Sequence, residues 1–347
     1  MKQKHFSKYT MLVLVQVGLV FSCLLMPKTV NAIDITKQLQ RPLNNTANRP
    51  LREEADRLLR LGEQQYNSGF FDKTLSSGLQ ALEIYHSIGD LKAQGLTYDL
   101  LASTYIELGD IKNAENALRR RIAIALDNQD IQTQIFALNN LGTFLLQTGE
   151  TKAAGKVVTD ALAIARKVEN IEGQGLSLSN LGLVATRLGD YPQAIKLSET
   201  ALIFRRQIGN VSGEINTLNN LGDAYLAIGD YQNTIGAYGI AMRLAKLNFD
   251  RPNQLRAIDG LVNAHSAVNR YERVTELLQQ RLQIANFLKS PPEQLKSLAS
   301  YGRFYERLGK YQQARNFYLK AVSLAKEIQD NKQEVQLLNS LNNLQGR

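Results

Sequence analysis

The amino-acid sequence predicts an all-α fold, an α-solenoid of seven helix–turn–helix repeats that a C-terminal capping helix closes. Three observations carry this prediction: a turn residue every forty residues, a leucine eight residues before most of these turns, and a column of small residues beside the leucines. The chain has 347 residues, of which 44% are hydrophobic, so it holds enough apolar side chains for a sizeable core. A regular repeat accommodates this length in one array.

The turn residues follow one another without an insertion: Gly69, Gly109, Gly149, Gly189, Gly229, Asn269 and Gly309. Asparagine is the residue that best replaces glycine in the left-handed conformation at a helix C-terminus. The exchange at Asn269 therefore itself indicates that a helix ends there.

Two further columns define the first helix of each repeat, the one that precedes the turn. The apolar column is Leu61, Leu101, Leu141, Leu181, Leu221, Leu261 and Tyr301, and the small column is Gly62, Ala102, Gly142, Gly182, Gly222 and Gly302, with Val262 as the exception. A small residue in the middle of a helix lowers helix propensity, so it needs a packing reason. We expect the small column to mark a close approach between the first and second helices of each repeat.

Helix starts are marked by capping residues. Asp110, Asp190 and Asp230 are favourable N-caps for second helices, and Asp250 precedes the sixth repeat. Ser290 and Glu293 have the spacing of a capping box. Near the C-terminus, a stripe of leucines predicts a final helix that covers the open end of the array: Leu337, Leu338, Leu341 and Leu344.

The predicted organisation has four parts. Residues 1–32 have the basic start, the short apolar run and the small residues before Ala32 that are typical of a secretory signal, with cleavage after Ala32. The alternative is a membrane anchor formed by residues 11–26. Residues 33–50 form a flexible leader, residues 51–330 form the seven-repeat array, and residues 331–347 form the capping helix. The predicted location is periplasmic or secreted.

Charge and cysteine content argue against several kinds of site. The formal net charge of +9 falls to +5 without residues 1–32, and the longest run of Lys or Arg that remains is three arginines, Arg119 to Arg121, so nucleic acid is a poor candidate partner. The single cysteine, Cys23, lies in the signal segment. No phosphate-binding loop, metal-ligand spacing or hydrolase motif is present, so we expect neither a cofactor nor an enzymatic activity.

With these columns established, the sequence resembles the tetratricopeptide repeat family. The segment from Leu218 to Tyr225, followed by Gly229 and Ala241, carries the Leu-Gly-x-x-Tyr … Gly … Ala pattern. The forty-residue period is typical of the branch that includes kinesin light chains and LGN-type scaffolds, here in an exported bacterial form. The resemblance implies a right-handed solenoid that binds an extended peptide or protein segment in its concave groove, without catalysis.

The resemblance also implies that first helices line this groove. Asparagine offers both a donor and an acceptor to an extended backbone. The predicted groove residues are Asn139, Asn140, Asn180, Asn219, Asn220, Asp223, Arg187 and Arg303. The alternative is that the asparagines bond between neighbouring helices. If they bind ligand, changing Asn180 and Asn220 to alanine weakens binding by about tenfold and hardly changes stability.

Three further interpretations stay open at this level. The first helices near the C-terminus carry Arg256, Lys296, Arg303 and Arg307 against Asp259 and Glu306, which suits either a basic half-groove or an ordinary solvated surface. His265 occupies a tyrosine column, which favours a core role. Besides a scaffold, the chain is a candidate recruiting subunit for a separately encoded enzyme, such as a caspase-like peptidase, or a peptide-sensing regulator.

Overall fold

The structure, a computed structural model, describes residues 48–345, and all of the regular secondary structure in this range is helical. The predicted all-α fold of seven helix pairs and a final helix is confirmed. The predicted signal segment and nearly all of the leader lie outside the described residues. The helices are α1 (Arg49–Asn67), α2 (Phe71–Ser87), α3 (Leu91–Glu107), α4 (Ile111–Asp127), α5 (Ile131–Gln147), α6 (Thr151–Lys167), α7 (Ile171–Leu188), α8 (Tyr191–Gln207), α9 (Val211–Ala227), α10 (Tyr231–Leu247), α11 (Arg251–Ala267), α12 (Tyr271–Phe287), α13 (Pro291–Arg307), α14 (Tyr311–Glu327) and α15 (Asn331–Gln345).

The start of the array differs slightly from the prediction. Helix α1 begins at Arg49, so the last two residues assigned to the leader are helical. Pro50 lies in the first turn of this helix, where its missing N–H costs no hydrogen bond and its fixed φ suits the helix. Pro50 therefore belongs to the first helix and not to the leader.

The predicted turn column is confirmed by its backbone conformation. All seven residues have a positive φ, from 57° at Asn269 to 89° at Gly149. A side chain built on these glycines would meet no neighbouring atom, so conformation and not crowding favours glycine there. The chain reverses direction at each of these residues to start the second helix.

A second column of left-handed residues, absent from the prediction, lies between repeats. Its members are Gly89, Gln129, Glu169, Gly209, Phe249, Lys289 and Gln329, with φ from 47° to 70°. At Gln129 the N–H donates to the Leu126 carbonyl at 3.0 Å, and the Asp130 N–H donates to the Ala125 carbonyl at 2.9 Å. This Schellman pattern satisfies the last carbonyls of the helix and stabilises the conformation even without glycine. The chain thus turns every twenty residues.

The predicted N-caps are confirmed, but the capping box is wrong. The carboxylates of Asp110, Asp190, Asp230 and Asp250 each accept a hydrogen bond from the backbone N–H three residues later, at 3.1–3.2 Å. Ser290 caps nothing with its side chain. Glu293, its expected partner, is buried and bonds to Arg281 in the preceding helix instead. A buried cation attracts this carboxylate more strongly than a backbone N–H does.

The described residues form two compact units, the N-terminal unit (residues 48–220) and the C-terminal unit (residues 221–345), with the boundary inside α9. In the N-terminal unit, the helices α1 to α8 pack successively, the last pair being α7 with α8, and the first helices α1 with α3 and α5 with α7 also touch. In the C-terminal unit, helices α10 to α15 pack in the same successive way. Alanine and leucine supply most of the buried side chains in both units.

The small column packs as predicted, against the second helix of the same repeat. A Cβ built on Gly182 would lie 2.6 Å from Ser198 Oγ and 3.3 Å from the Ala194 carbonyl oxygen. One built on Gly302 would lie 2.4 Å from the ring of Tyr318. Real Cβ atoms do not approach other atoms this closely, so the helix pairs depend on the missing side chains.

The final helix covers the last repeat with three of its four predicted leucines. Leu337, Leu341 and Leu344 are buried in a cluster with Tyr318. Leu338 is 38% exposed and does not belong to the stripe, which corrects the prediction. Residues four and three apart share one helix face, and Leu338 lies next to that face, not on it.

Candidate functional site

The first of the predicted groove asparagines in the chain is Asn139 on α5, and this side chain is not on the surface. It is 1% exposed. Its Nδ2 donates to the Ile135 carbonyl at 2.9 Å and to Ser177 Oγ at 2.8 Å, and its Oδ1 accepts from Asn180 Nδ2 at 3.0 Å. Asn139 therefore joins two successive first helices, α5 and α7.

The same arrangement recurs one repeat later, between α7 and α9. Ser179, which is 4% exposed, accepts hydrogen bonds from Thr217 Oγ1 at 3.0 Å and from Asn220 Nδ2 at 3.4 Å. In both cases the partners lie 38 and 41 residues further along the chain. We call this set of side chains the amide ladder: Asn139, Ser177, Ser179, Asn180, Thr217 and Asn220.

The expectation that these asparagines face solvent is wrong for three of them. Asn219 is 0% and Asn220 is 6% exposed, in addition to Asn139. Because a buried amide that loses its partners costs free energy, replacing Asn220 will change stability, contrary to the expectation above. The alternative interpretation, bonding between neighbouring helices, describes Asn139 and Asn220.

Two members of the predicted set remain accessible. Asn140 on α5 and Asn180 on α7 are half-buried, forty residues apart, on successive first helices. Asn180 gives one N–H to Asn139 and retains its other N–H and its carbonyl oxygen. Asn140 makes no side-chain hydrogen bond to another residue of the range 48–345. The capacity of both amides to bind a ligand stays a prediction.

The carboxylate of Asp223, on α9, is already bonded to other side chains of the C-terminal unit. Its carboxylate accepts a hydrogen bond from the Tyr238 hydroxyl and pairs with Arg256 at 2.5 Å. Burial, reinforced by the Asp223 charge, raises the pKa of Tyr238 well above its usual value. The three side chains form a neutralised cluster, so Asp223 is better placed to orient Arg256 and Tyr238 than to receive a ligand.

The two predicted arginines lie at different helices and bond little. Arg187 is half-buried in the last turn of α7, where its charge complements the helix dipole. Arg303, on α13, is exposed and donates to Ser300 Oγ at 3.0 Å. Surrounding protein lowers the pKa of Arg303 by desolvation, despite this exposure.

Sequence reasoning missed a buried ionic centre around Arg281 on α12. Its guanidinium, 1% exposed, uses all five N–H groups. Two go to Asp259 at 2.5 and 3.1 Å, and the other three go to Glu293 Oε2, the Glu293 carbonyl oxygen and Ser297 Oγ at 2.7–2.9 Å. The basic half-groove is partly neutralised, but by other acids than the predicted ones: Asp223 pairs with Arg256, and Glu293 lies 3.6 Å from Lys296. Asp259 serves Arg281 instead, and Glu306 accepts a bond from Tyr318.

A related pair lies in the second repeat. Arg121, on α4, donates to Asp99 on α3 at 2.8 Å. Burial raises the pKa of Asp99 to about 6, against the opposing pull of Arg121. The signal was present in the sequence: Arg121 and Arg281 both replace alanine in one column, and Asp99 and Asp259 both stand in the column of Asn139.

Three other findings bear on the kind of site. No group of three or more His, Cys, Asp or Glu side chains within residues 48–345 is arranged to hold a metal ion. His265 is 6% exposed, and burial lowers its pKa, in keeping with its expected core role. In the same range, no helix combines the length and apolar character needed to cross a bilayer.

Known sequence families match several segments of this chain. Two family models described as tetratricopeptide repeat match the chain, one over residues 133–207 and 173–246, the other over residues 96–128 and 295–328. These segments cover more than half of the sequence. The chain belongs to the tetratricopeptide repeat family. Tetratricopeptide repeats are scaffolds for protein–protein interaction, which supports that role here. No curated protein matches the sequence.

Solved structures share the tetratricopeptide repeat fold at low identity. A signal transduction ATPase with a tetratricopeptide repeat sensor, from Pyrococcus horikoshii, is 17% identical with a TM-score of 0.61, over 84% of this chain and 46% of that protein. This chain therefore spans less than half of that protein's length. The apo form of RapI is 12% identical, with a TM-score of 0.62 over 80% of this chain and 99% of RapI. A Rap protein complexed with competence and sporulation factor is 13% identical, with a TM-score of 0.53 over 90% of this chain and 79% of that one. These likenesses concern the fold.

Proposed function

We propose that the chain is a non-enzymatic adaptor that binds an extended segment of a partner polypeptide along its first helices, outside the cytoplasm. One observation carries the proposal. Asn140 and Asn180 lie forty residues apart on successive first helices, half-buried, with amide groups that the fold leaves wholly or partly unused. An amide group pairs with a peptide unit through one donor and one acceptor, whatever side chain the peptide carries.

The fold and its relatives support this proposal. Stacked helix pairs bury one side of each helix and leave a continuous face of first helices for a ligand. The Rap protein solved in complex with competence and sporulation factor has the same fold, which supports a ligand-binding role for this chain. The location outside the cytoplasm depends on the sequence of residues 1–32 alone. A mature chain that begins at Ile33, found by mass spectrometry, will support export, and retained residues 1–32 will favour a membrane anchor.

A selection from a library of displayed peptides tests the binding role without knowledge of the partner. Peptides retained by the wild-type protein are synthesised, and their affinities for variants are measured by calorimetry. We expect Asn140→Ala to weaken a selected peptide by about tenfold, because two lost hydrogen bonds contribute about 0.5–1.5 kcal/mol each and 1.4 kcal/mol is one decade.

Asn116 provides the matched control. It is an exposed asparagine on α4, a second helix of the same unit. Asn116→Ala leaves the affinity unchanged if ligands lie along first helices. An equal loss in both variants, or a loss in Asn116→Ala alone, moves the binding surface to the second helices.

A further inference from the structure

Three arginines on second helices project into the interior, and they differ in whether a carboxylate pairs with them. Arg121 pairs with Asp99, and Arg281 pairs with Asp259. Arg205, on α8, is 5% exposed, yet it forms no hydrogen bond or ion pair with another residue of the range 48–345. A buried guanidinium without a counter-charge is strongly unfavourable. We therefore expect a ligand to supply the partner that the described residues do not.

Two glycines make room for this side chain. A Cβ built on Gly213 would lie 2.6 Å from Cδ and Nε and 2.7 Å from Cζ of Arg205, and one built on Gly175 would lie 3.4 Å from Cδ. Any larger residue at position 213 would displace the guanidinium. Gly175 belongs to α7 and Gly213 is the third residue of α9. The charge therefore lies between the N-terminal turns of two successive first helices.

The surroundings of Arg205 favour an anion. The N-terminal end of α9 carries a partial positive charge. The N–H groups of Val211 and Gly213 there already donate to the Gly209 carbonyl and to Asn210 Oδ1, so the guanidinium is the donor that remains. Of the neighbouring carboxylates, Glu214 pairs with Arg206 at 2.7 Å, and Glu172 attracts the charge of Arg205 without forming an ion pair. Burial lowers the pKa of Arg205 to about 10, so it stays protonated at neutral pH.

The atoms available to a ligand are at the end of the guanidinium. Only Nε of Arg205 is both enclosed and without a hydrogen bond, so the two terminal nitrogens are the donors that an incoming group can reach. They lie in one plane, which matches the two oxygens of a carboxylate.

We propose that Arg205 is a receptor for a carboxylate of the bound polypeptide, held between α7 and α9. The source of the carboxylate, an acidic side chain or a C-terminus, rests on the proposed function, whereas the site itself does not. The position of Arg205 also explains why glycine stands at position 213, since a larger residue there would fill the space that the guanidinium occupies.

Small carboxylates test the site without a peptide. The unfolding midpoint of the full chain is measured with N-acetylglycinate, with the α-methylamide of N-acetylaspartate, and with the neutral N-acetylglycine methylamide, at one ionic strength. We expect both carboxylates to raise the midpoint and the neutral amide to leave it unchanged. The carboxylate with the larger effect identifies a C-terminal or a side-chain source.

Variants assign the effect to its residue. Arg205→Gln abolishes the carboxylate-dependent shift, while Arg206→Gln, which removes an exposed arginine paired with Glu214, retains it. Arg205→Lys keeps the charge without the planar fork and retains part of the shift, which covers the case in which glutamine prevents folding. A shift that survives in Arg205→Gln, or no shift in the wild type, overturns the assignment. The proposed function still stands in that case if selected peptides depend on Asn140.

Discussion

The two units use the same positions of the repeat in chemically different ways. In the N-terminal unit, neutral side chains join successive first helices directly: Asn139 bonds to Ser177, and Ser179 to Thr217. In the C-terminal unit, the corresponding positions are Asp259 and Ser297, again 38 residues apart, and Arg281 is inserted between them. Between successive first helices, the N-terminal unit therefore has a neutral ladder where the C-terminal unit has an ionic bridge. The ionic pair of the N-terminal unit, Asp99 with Arg121, lies within one repeat.

The difference shows what the repeat geometry requires. It requires that buried polar groups between first helices be satisfied, and it accepts an amide or an ion pair as long as the hydrogen bonds are complete. The cost of breaking each arrangement differs, however. A neutral group that loses a partner leaves one unsatisfied dipole, whereas a broken ion pair leaves an isolated charge inside the protein.

The largest effect is expected at the ionic bridge. Arg281→Met leaves the Glu293 carboxylate, which is 6% exposed, with only the more distant Lys296, 3.6 Å away, and we expect a loss of about 3–5 kcal/mol in the free energy of unfolding of the C-terminal unit. Urea denaturation followed by circular dichroism measures this loss. Arg273→Met is the control, because Arg273 pairs with Glu276 at the surface and its loss costs about 1 kcal/mol at most. A comparable loss in the two variants would mean that the bridge is not a buried charge centre.

A smaller effect is expected at the neutral ladder. Asn139→Ala removes the three hydrogen bonds of a buried amide and leaves Ser177 and Asn180 with fewer partners. We expect a loss of about 1–3 kcal/mol in the same measurement, below that of Arg281→Met. Asn116→Ala, at an exposed asparagine, should leave the free energy unchanged. A loss at Asn139 that equals the loss at Arg281 would remove the distinction between the two units.

The smallest effect is expected in the pH dependence of stability. It concerns Asp99, which forms an ionic pair with Arg121 in the N-terminal unit. Its pKa is raised from 3.8 to about 6, so the native state holds this proton more tightly than the unfolded chain does. The sign follows: this group contributes stability below pH about 3.8, and the contribution is lost as the pH rises through about 6. The side chain is 36% exposed, so solvent screening limits the change to about 1 kcal/mol. Asp99→Asn should flatten the pH profile of the urea denaturation midpoint between pH 3.8 and about 6. An unchanged profile would contradict the raised pKa of Asp99.

Much of the fold could be predicted from the sequence because its signals are local. Glycine and asparagine at Gly189 and Asn269 mark turns through their backbone preference alone, and the small residue at Gly182 marks a helix contact. The turns between repeats escaped prediction because the Schellman hydrogen bonds hold residues such as Gln129 and Phe249 in the left-handed conformation. Five of those seven positions are not glycine, so the sequence carries no marker for them.

The candidate site could be predicted only in part, since its side chains interact over long distances in the chain. The register placed Asn139 and Asn140 together on α5, but a spacing of forty does not distinguish a buried amide from its half-buried neighbour. Glu293 has the spacing of a helix cap but bonds to Arg281, which lies twelve positions earlier in the chain. Arg205 was not singled out, because its meaning depends on the glycines at positions 175 and 213.

Photo-crosslinking is the most direct test of the central claim, that an extended polypeptide lies along the first helices. Benzoylphenylalanine replaces Asn140 on α5 in one variant and Asn116 on α4 in the other, and each is irradiated with a selected peptide. Covalent adducts at position 140 and none at position 116 are the predicted result. Adducts at position 116 with none at position 140 would contradict it, and would assign ligand binding to the second helices.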